Sequence, residues 1–175
     1  MDELIRNDMN VSDEAYSDIR MEYVEPFRYI RYAVVSTEPE DDALDHVKKW
    51  AKMLKIQNPE IIGWDFPVLS QEQINVFKRH GDGAALRLPE KVTETADFMD
   101  IVNQDKQKYI VITIKDPMIA PFRLIPNAYK VLMTHMHINR IPHKEDKKII
   151  SCFEKEYFVN GTSYMDVYIA VDEIE

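Results

Sequence analysis

Along Ile149–Val159, and again along Tyr164–Val171, apolar and polar residues alternate with the two-residue period of a β-strand. Asn160-Gly161 between them is the strongest short-range hairpin signal. Alternation places Met165, Val167, Ile169 and Val171 on one face of the second strand and Tyr164, Asp166, Tyr168 and Ala170 on the other. In the first strand Phe153, Tyr157 and Val159 share a face, and Cys152, Glu154, Glu156 and Phe158 share the opposite one. A helical period governs two other stretches. Ala43, Leu44, Val47, Trp50, Ala51 and Leu54 predict an amphipathic helix behind Ser36-Thr-Glu-Pro-Glu-Asp-Asp42, where Ser36 or Thr37 can cap, Pro39 suits a first turn and the acids complement the positive helix end. Ile125, Ala128, Tyr129, Leu132, Met133 and Met136 predict a second helix with Pro126 in its first turn.

Further strands are expected at Met21–Val35 (one long strand, or two broken at Pro26), at Glu60–Phe66 before Pro67, at Ala84–Leu88 after a turn at Gly81-Asp-Gly83, and at Tyr109–Lys115. Residues 1–19 are polar and weakly patterned and read as a poorly ordered arm that the fold does not need. Residues 91–108 read as a connector. Strand, helix, strand, strand therefore occurs twice, over residues 20–90 and 109–175. The expected fold is α+β: a duplicated strand–helix–strand–strand module with pseudo-two-fold symmetry, an antiparallel sheet with helices on one side, and a central ligand cleft.

With 175 residues and ordinary apolar content, the chain can bury a substantial core. Its 22 basic against 31 acidic residues, a net charge of −9, argue against a nucleic-acid surface and suit cationic ligands or a basic protein partner. A single cysteine, Cys152, excludes an internal disulfide. No signal peptide and no apolar run of membrane-spanning length stands out, so a cytoplasmic location without membrane contact is expected. The chain is also too short for a helix-turn-helix domain ahead of the duplicated modules, which favours a stand-alone module.

The chemistry concentrates in the C-terminal hairpin, where carboxylates stand beside phenols. Such a face suits a flat, apolar cation, and it is equally compatible with an ordinary exposed strand face. Trp64 and Phe66 share a strand face with Ile62 and read as core or as stacking partners. Trp50 reads as core. His46 reads as a surface histidine, and His135 and His137 stand two apart on a helix, where they cannot share a metal, so no metal site and no cofactor are expected. No nucleophile motif and no glycine-rich phosphate loop occur.

Gly63-Trp-Asp-Phe-Pro67, Ile125-Pro-Asn-Ala-Tyr-x-x-Leu132, Cys152-Phe-Glu154 and Met165-Asp-Val-Tyr-Ile-Ala-Val171, in this order and spacing, resemble the GyrI-like effector-binding domain, also found at the C-terminus of AraC- and MerR-type multidrug-responsive regulators. The resemblance covers about Met21–Val171. It implies a duplicated α+β fold that binds bulky, amphipathic and often cationic compounds, with a strand-borne glutamate meeting the charge and aromatic rings stacking on the ligand. By position that glutamate is Glu154. The family usually has an aromatic two residues after it, whereas Tyr157 follows by three. Either a β-bulge restores the register or Glu156 shares the role. The ligand set implied is Glu154, Glu156, Tyr168, Trp64, Phe66, Tyr129 and Tyr157, with Tyr168 or Tyr129 supporting the glutamate. Stand-alone relatives imply sequestration of toxic compounds, contact with a protein such as DNA gyrase or a regulator, or hydrolysis of cyclopropane-bearing toxins, in which case Glu154 is the catalytic group.

Overall fold

The computed structural model describes residues 15–65 and 74–172. Its elements are β1 (Arg20–Val24), β2 (Phe27–Ser36), α1 (Pro39–Met53), β3 (Ile61–Asp65), β4 (His80–Leu88), β5 (Val102–Gln104), β6 (Gln107–Lys115), a 3-10 turn (Pro117–Ile119), α2 (Pro121–Ile138), β7 (Cys152–Val159) and β8 (Thr162–Ala170). The chain divides into two compact units, Pro26–Gln104 and the remainder. Each is an antiparallel sheet with one helix on one face, and each repeats the order strand, helix, strand, strand. The α+β class and, within each unit, an antiparallel sheet with its helix on one side are as the sequence leads one to expect.

In the unit Pro26–Gln104 the strands lie in the order β5-β2-β4-β3. Ile30, Ala84, Leu86 and Leu88 face Ala43, Val47, Trp50 and Ala51 of α1, joined by Ile56 and Met99. The helix begins at Pro39 behind Glu38, and the Ser36 hydroxyl serves its approach by accepting from the Glu38 amide and donating to Asp42. In the other unit the order is β1-β6-β8-β7. Ile110, Ile112, Ile114, Met165, Val167, Ile169 and Val171 face Leu124, Ala128, Val131, Leu132 and Met136 of α2.

Of the two readings of Met21–Val35, the one broken at Pro26 holds, since the missing N–H of Pro26 cannot serve a ladder, and the two strands belong to different units. Two other expectations are corrected. The stretch 91–108 is more than a connector: Met99 is in the core, and Val102–Gln104 pair with Phe27–Tyr29 as β5. Gly81–Gly83 form no turn but lie within β4.

The arm is also more than loose chain where it is described. Tyr16 is 6% exposed among the α2-facing core residues, bridges Ile114 of β6, and donates its hydroxyl to the Leu124 carbonyl at 2.9 Å. Residues 17–19 of this strap span only 112–113 of β6 between the pairs Tyr16–Ile114 and Arg20–Val111. That one extra residue turns the strap over, so Tyr16 enters the helix-side core while Arg20 reaches the opposite face. Ser17 stabilises the irregularity by donating its amide to the Thr113 carbonyl and accepting the Thr113 amide on its hydroxyl. Residues 1–14 lie outside the described residues.

Candidate functional site

The turn at Asn160-Gly161 fixes which side chains meet. Both residues have positive φ, 50° and 82°, as a two-residue hairpin turn of type I′ requires. Val159 therefore pairs with Thr162, and counting back gives Tyr157 with Tyr164, Lys155 with Asp166, Glu154 with Val167 and Phe153 with Tyr168. Directly opposed residues of an antiparallel pair share a face. Glu154 and Glu156 thus lie on the helix side with Val167 and Met165. Phe153, Lys155 and Tyr157 lie on the helix-free side with Tyr168, Asp166 and Tyr164. This corrects the expectation that Glu154 and Tyr168 are neighbours: they stand on opposite faces of the sheet. The pairing runs unbroken from Cys152 to Val159, so no bulge brings Tyr157 to the side of Glu154.

On the helix side Glu154 accepts a hydrogen bond from the phenol of Tyr129 on α2. Of the two phenols expected to support it, Tyr129 does so and Tyr168 does not. Glu154 is half-buried, and the phenol meets it as a neutral donor. Glu156, one pleat further along this face, is exposed and accepts from the Ser163 hydroxyl at 2.6 Å. Tyr129 belongs to a stripe on α2. Phe122, Pro126, Tyr129 and Met133 are spaced by four, three and four residues and so fall in one angular sector of the helix. Phe122 is 96% and Met133 63% exposed. Phe158, on the same strand face as the glutamates, is exposed as well. Exposed large apolar side chains of α2 and β7 thus share one side of this unit's sheet with two carboxylates.

The helix-free face carries a different constellation. Asp166 is 7% exposed. It accepts from Thr113, pairs with Arg20 at 3.1 Å, and lies 3.4 Å from the hydroxyls of both Tyr157 and Tyr168. Arg20 also binds Glu22, and Tyr168 reaches Glu22 at 3.5 Å. Burial works against the Arg20 charge, but hydrogen bonds to Glu22 and Asp166 outweigh it and hold the guanidinium pKa above its ordinary value. Burial first, then the charges of Asp166 and Glu22, push the Tyr168 phenol well up. Burial and Asp166 likewise raise Tyr157. Around this network Phe153 stacks on Tyr168 at 4.4 Å, Tyr109 meets both rings edge-on, and Tyr157 stacks on Tyr164. Sequence reasoning did not place Asp166, Arg20, Glu22 or Thr113 in the site. Asp166 was visible as the one carboxylate between two tyrosines on the polar face of its strand; Arg20 and Thr113 carry no sequence signal of their own.

In the other unit Trp64 stands opposite Gly83, on the face of its sheet away from α1 and outside the α1-facing core. Its indole lies so close over Gly83 that a Cβ there would sit 2.8 Å from the ring. Trp50 is core, as expected, and His46 is only partly exposed, stacked at 3.8 Å on Tyr32. Phe66 lies outside the described residues. Among the described residues no group of three His, Cys, Asp or Glu is arranged to hold a metal ion, and no helix is long and apolar enough to cross a membrane.

No protein-family model matches the chain, and no curated protein matches it in sequence. Solved structures do resemble it. The C-terminal domain of EcmrR superposes with a TM-score of 0.60 at 8% identity, covering 90% of this chain and 98% of that one. EcmrR in its DNA complex gives 0.62 at 8% identity, over 97% of this chain and 61% of that one. SAV2435 bound to tetraphenylphosphonium gives 0.50 at 12% identity, over 89% and 94%. What is shared is the fold. It accords with the GyrI-like resemblance, and at these identities the likeness says nothing finer about which residues bind.

Proposed function

We propose that the protein binds bulky, amphipathic organic cations along the helix side of the unit that contains α2, β7 and β8. The observation that carries this reading is Glu154, a half-buried carboxylate held by the Tyr129 phenol and bordered by the exposed apolar stripe of α2. The carboxylate meets the positive centre, and Phe122, Tyr129, Met133 and Phe158 take the apolar body. Each ring against a cation contributes about 0.5–2 kcal/mol. Glu156 adds a second, more screened negative charge. Flexible and aromatic side chains on an open strip specify shape loosely, so several ligands of this class are expected to bind. A fold shared with SAV2435, which is bound to tetraphenylphosphonium, supports the same reading.

Calorimetric titration with tetraphenylphosphonium and with triphenylphosphine oxide tests it. The two share an aryl body, and only the first is charged. The expected result is binding of the cation with at least roughly tenfold preference, about 1.4 kcal/mol, over the neutral compound. Equal affinity for both, or none for either, contradicts the proposal.

A further inference from the structure

The helix that carries the apolar stripe starts badly. Its N-cap is Ala120, which makes no side-chain cap hydrogen bond, and no acidic residue stands in its first turn. Ser, Thr, Asp or Asn at the cap, and acids just inside it, are what normally satisfy the free amides and the positive helix end. Pro121 suits the first position, but Pro126 lies inside the helix. Pro126 has no N–H, so the Phe122 carbonyl lacks its ordinary partner four residues on. The first two turns of α2 are therefore weak by local rules, and they carry Phe122 and Pro126, one end of the stripe. Pro126 was expected in a first turn. The helix starts five residues earlier, at Pro121, which is why the sequence did not reveal this weakness.

Support comes from far away in the chain. Tyr16 belongs to the buried cluster that holds Leu124 and Ala128 of α2, bridges Ile114 of β6, and donates its hydroxyl to the Leu124 carbonyl at 2.9 Å. Burial raises the Tyr16 pKa, so the group stays a donor at neutral pH. The strap that holds Tyr16 is fastened three ways: by Tyr16 on the helix side, by the Ser17 bonds to the Thr113 backbone along the strand edge, and by the Arg20–Asp166 pair on the opposite face.

We infer that Tyr16 is a positioning residue for the ligand strip: it fixes the first turns of α2, so that the Phe122 end of the stripe stands in register with the Tyr129–Glu154 end. The inference rests on the proposed binding of amphipathic cations to that strip. It adds that the size preference of the site is set from outside it. A large cation needs both ends of the stripe. A small one, such as benzyltrimethylammonium, needs only Glu154 and Tyr129.

The test uses the full chain and Tyr16→Phe, which keeps the buried ring and removes only the hydroxyl. Val47→Ala, in the core of the other unit, is the control for general loss of stability. Hydrogen exchange read by mass spectrometry should show faster exchange in Tyr16→Phe across residues 122–129, without ligand, and no such change in Val47→Ala. Titrations should show tetraphenylphosphonium weakened by roughly three- to tenfold, the range that one neutral hydrogen bond supports, with benzyltrimethylammonium unchanged. Unchanged exchange in α2, or equal weakening of the large and small cations, overturns the inference. If the unaltered protein binds neither cation, the binding proposal fails. The exchange result then still decides whether Tyr16 holds α2, while its role in ligand size is refuted along with the proposal.

Discussion

Replacing Asp166 by Asn removes one charge from the helix-free network while keeping its volume. The Arg20 side chain is 34% exposed and that of Asp166 11%. Breaking a fully buried pair by removing one partner costs about 3–5 kcal/mol, whereas a fully exposed pair contributes about 0–1 kcal/mol. Arg20 retains Glu22, and Asn can still accept from Thr113, so neither group is stranded. Asn can keep its oxygen toward the guanidinium and turn its N–H toward the Tyr168 hydroxyl, which accepts as well as donates, so what is lost is chiefly the charge that strengthens these bonds. The expected loss is about 1.5–3 kcal/mol, the scale of hydrogen bonds to a charged group. Urea unfolding followed by far-ultraviolet circular dichroism at neutral pH measures it. A double-mutant cycle with Arg20→Met separates the pair from its surroundings and should give a coupling of at least about 1 kcal/mol. A loss below about 0.5 kcal/mol, with coupling near zero, would refute the reasoning, because it would place the network in effectively aqueous surroundings.

Gly83→Ala should force the Trp64 indole off its seat, since the new Cβ would stand 2.8 Å from the ring. The expected outcome is a loss of about 1–2 kcal/mol with a change in tryptophan emission; unchanged emission would contradict it. The raised pKa values of Tyr16, Tyr29, Tyr157 and Tyr168 predict a loss of stability at high pH. Below the unfolded value of 10.0 both states hold these protons and the full stability is present. As pH rises from 10 toward the raised folded values only the unfolded state releases them, so stability falls by about 1.4 kcal/mol per pH unit for each such group. In an absorbance titration of the nine tyrosines, a late-ionising fraction should appear only on unfolding. Complete ionisation near pH 10 in the folded state would rule this out.

The sequence made the elements legible where local chemistry decides them. The helical period of Ala43–Leu54 and the Asn160-Gly161 turn each carry their own physical cause, and both formed. It also contained the register of the hairpin. A two-residue turn forces Glu154 opposite Val167, so its place on the helix side could have been counted from the turn; grouping carboxylates with phenols by composition led instead to Tyr168. Partners far apart in the chain were not legible. Tyr16 among polar residues shows no period that announces a core residue, and nothing in Met21–Val35 announces that the stretch divides between two units. Asp166 looked like one polar position in an alternating strand. Its importance comes from Arg20, 146 positions away, and only the sheet order brings the two together.

The central claim is that Glu154 meets the charge of a cationic ligand, and a single pair of titrations tests it. A positive centre about 6 Å from the carboxylate, at an effective dielectric of about 20, gains about 3 kcal/mol. Partial exposure and salt reduce this to about 1–2 kcal/mol. Glu154→Gln preserves size and an acceptor for the Tyr129 phenol. It should weaken tetraphenylphosphonium by roughly five- to thirtyfold and leave the affinity for triphenylphosphine oxide nearly unchanged. Equal weakening of both would mean that Glu154 only shapes the strip, and no change in either would mean that the cation binds elsewhere.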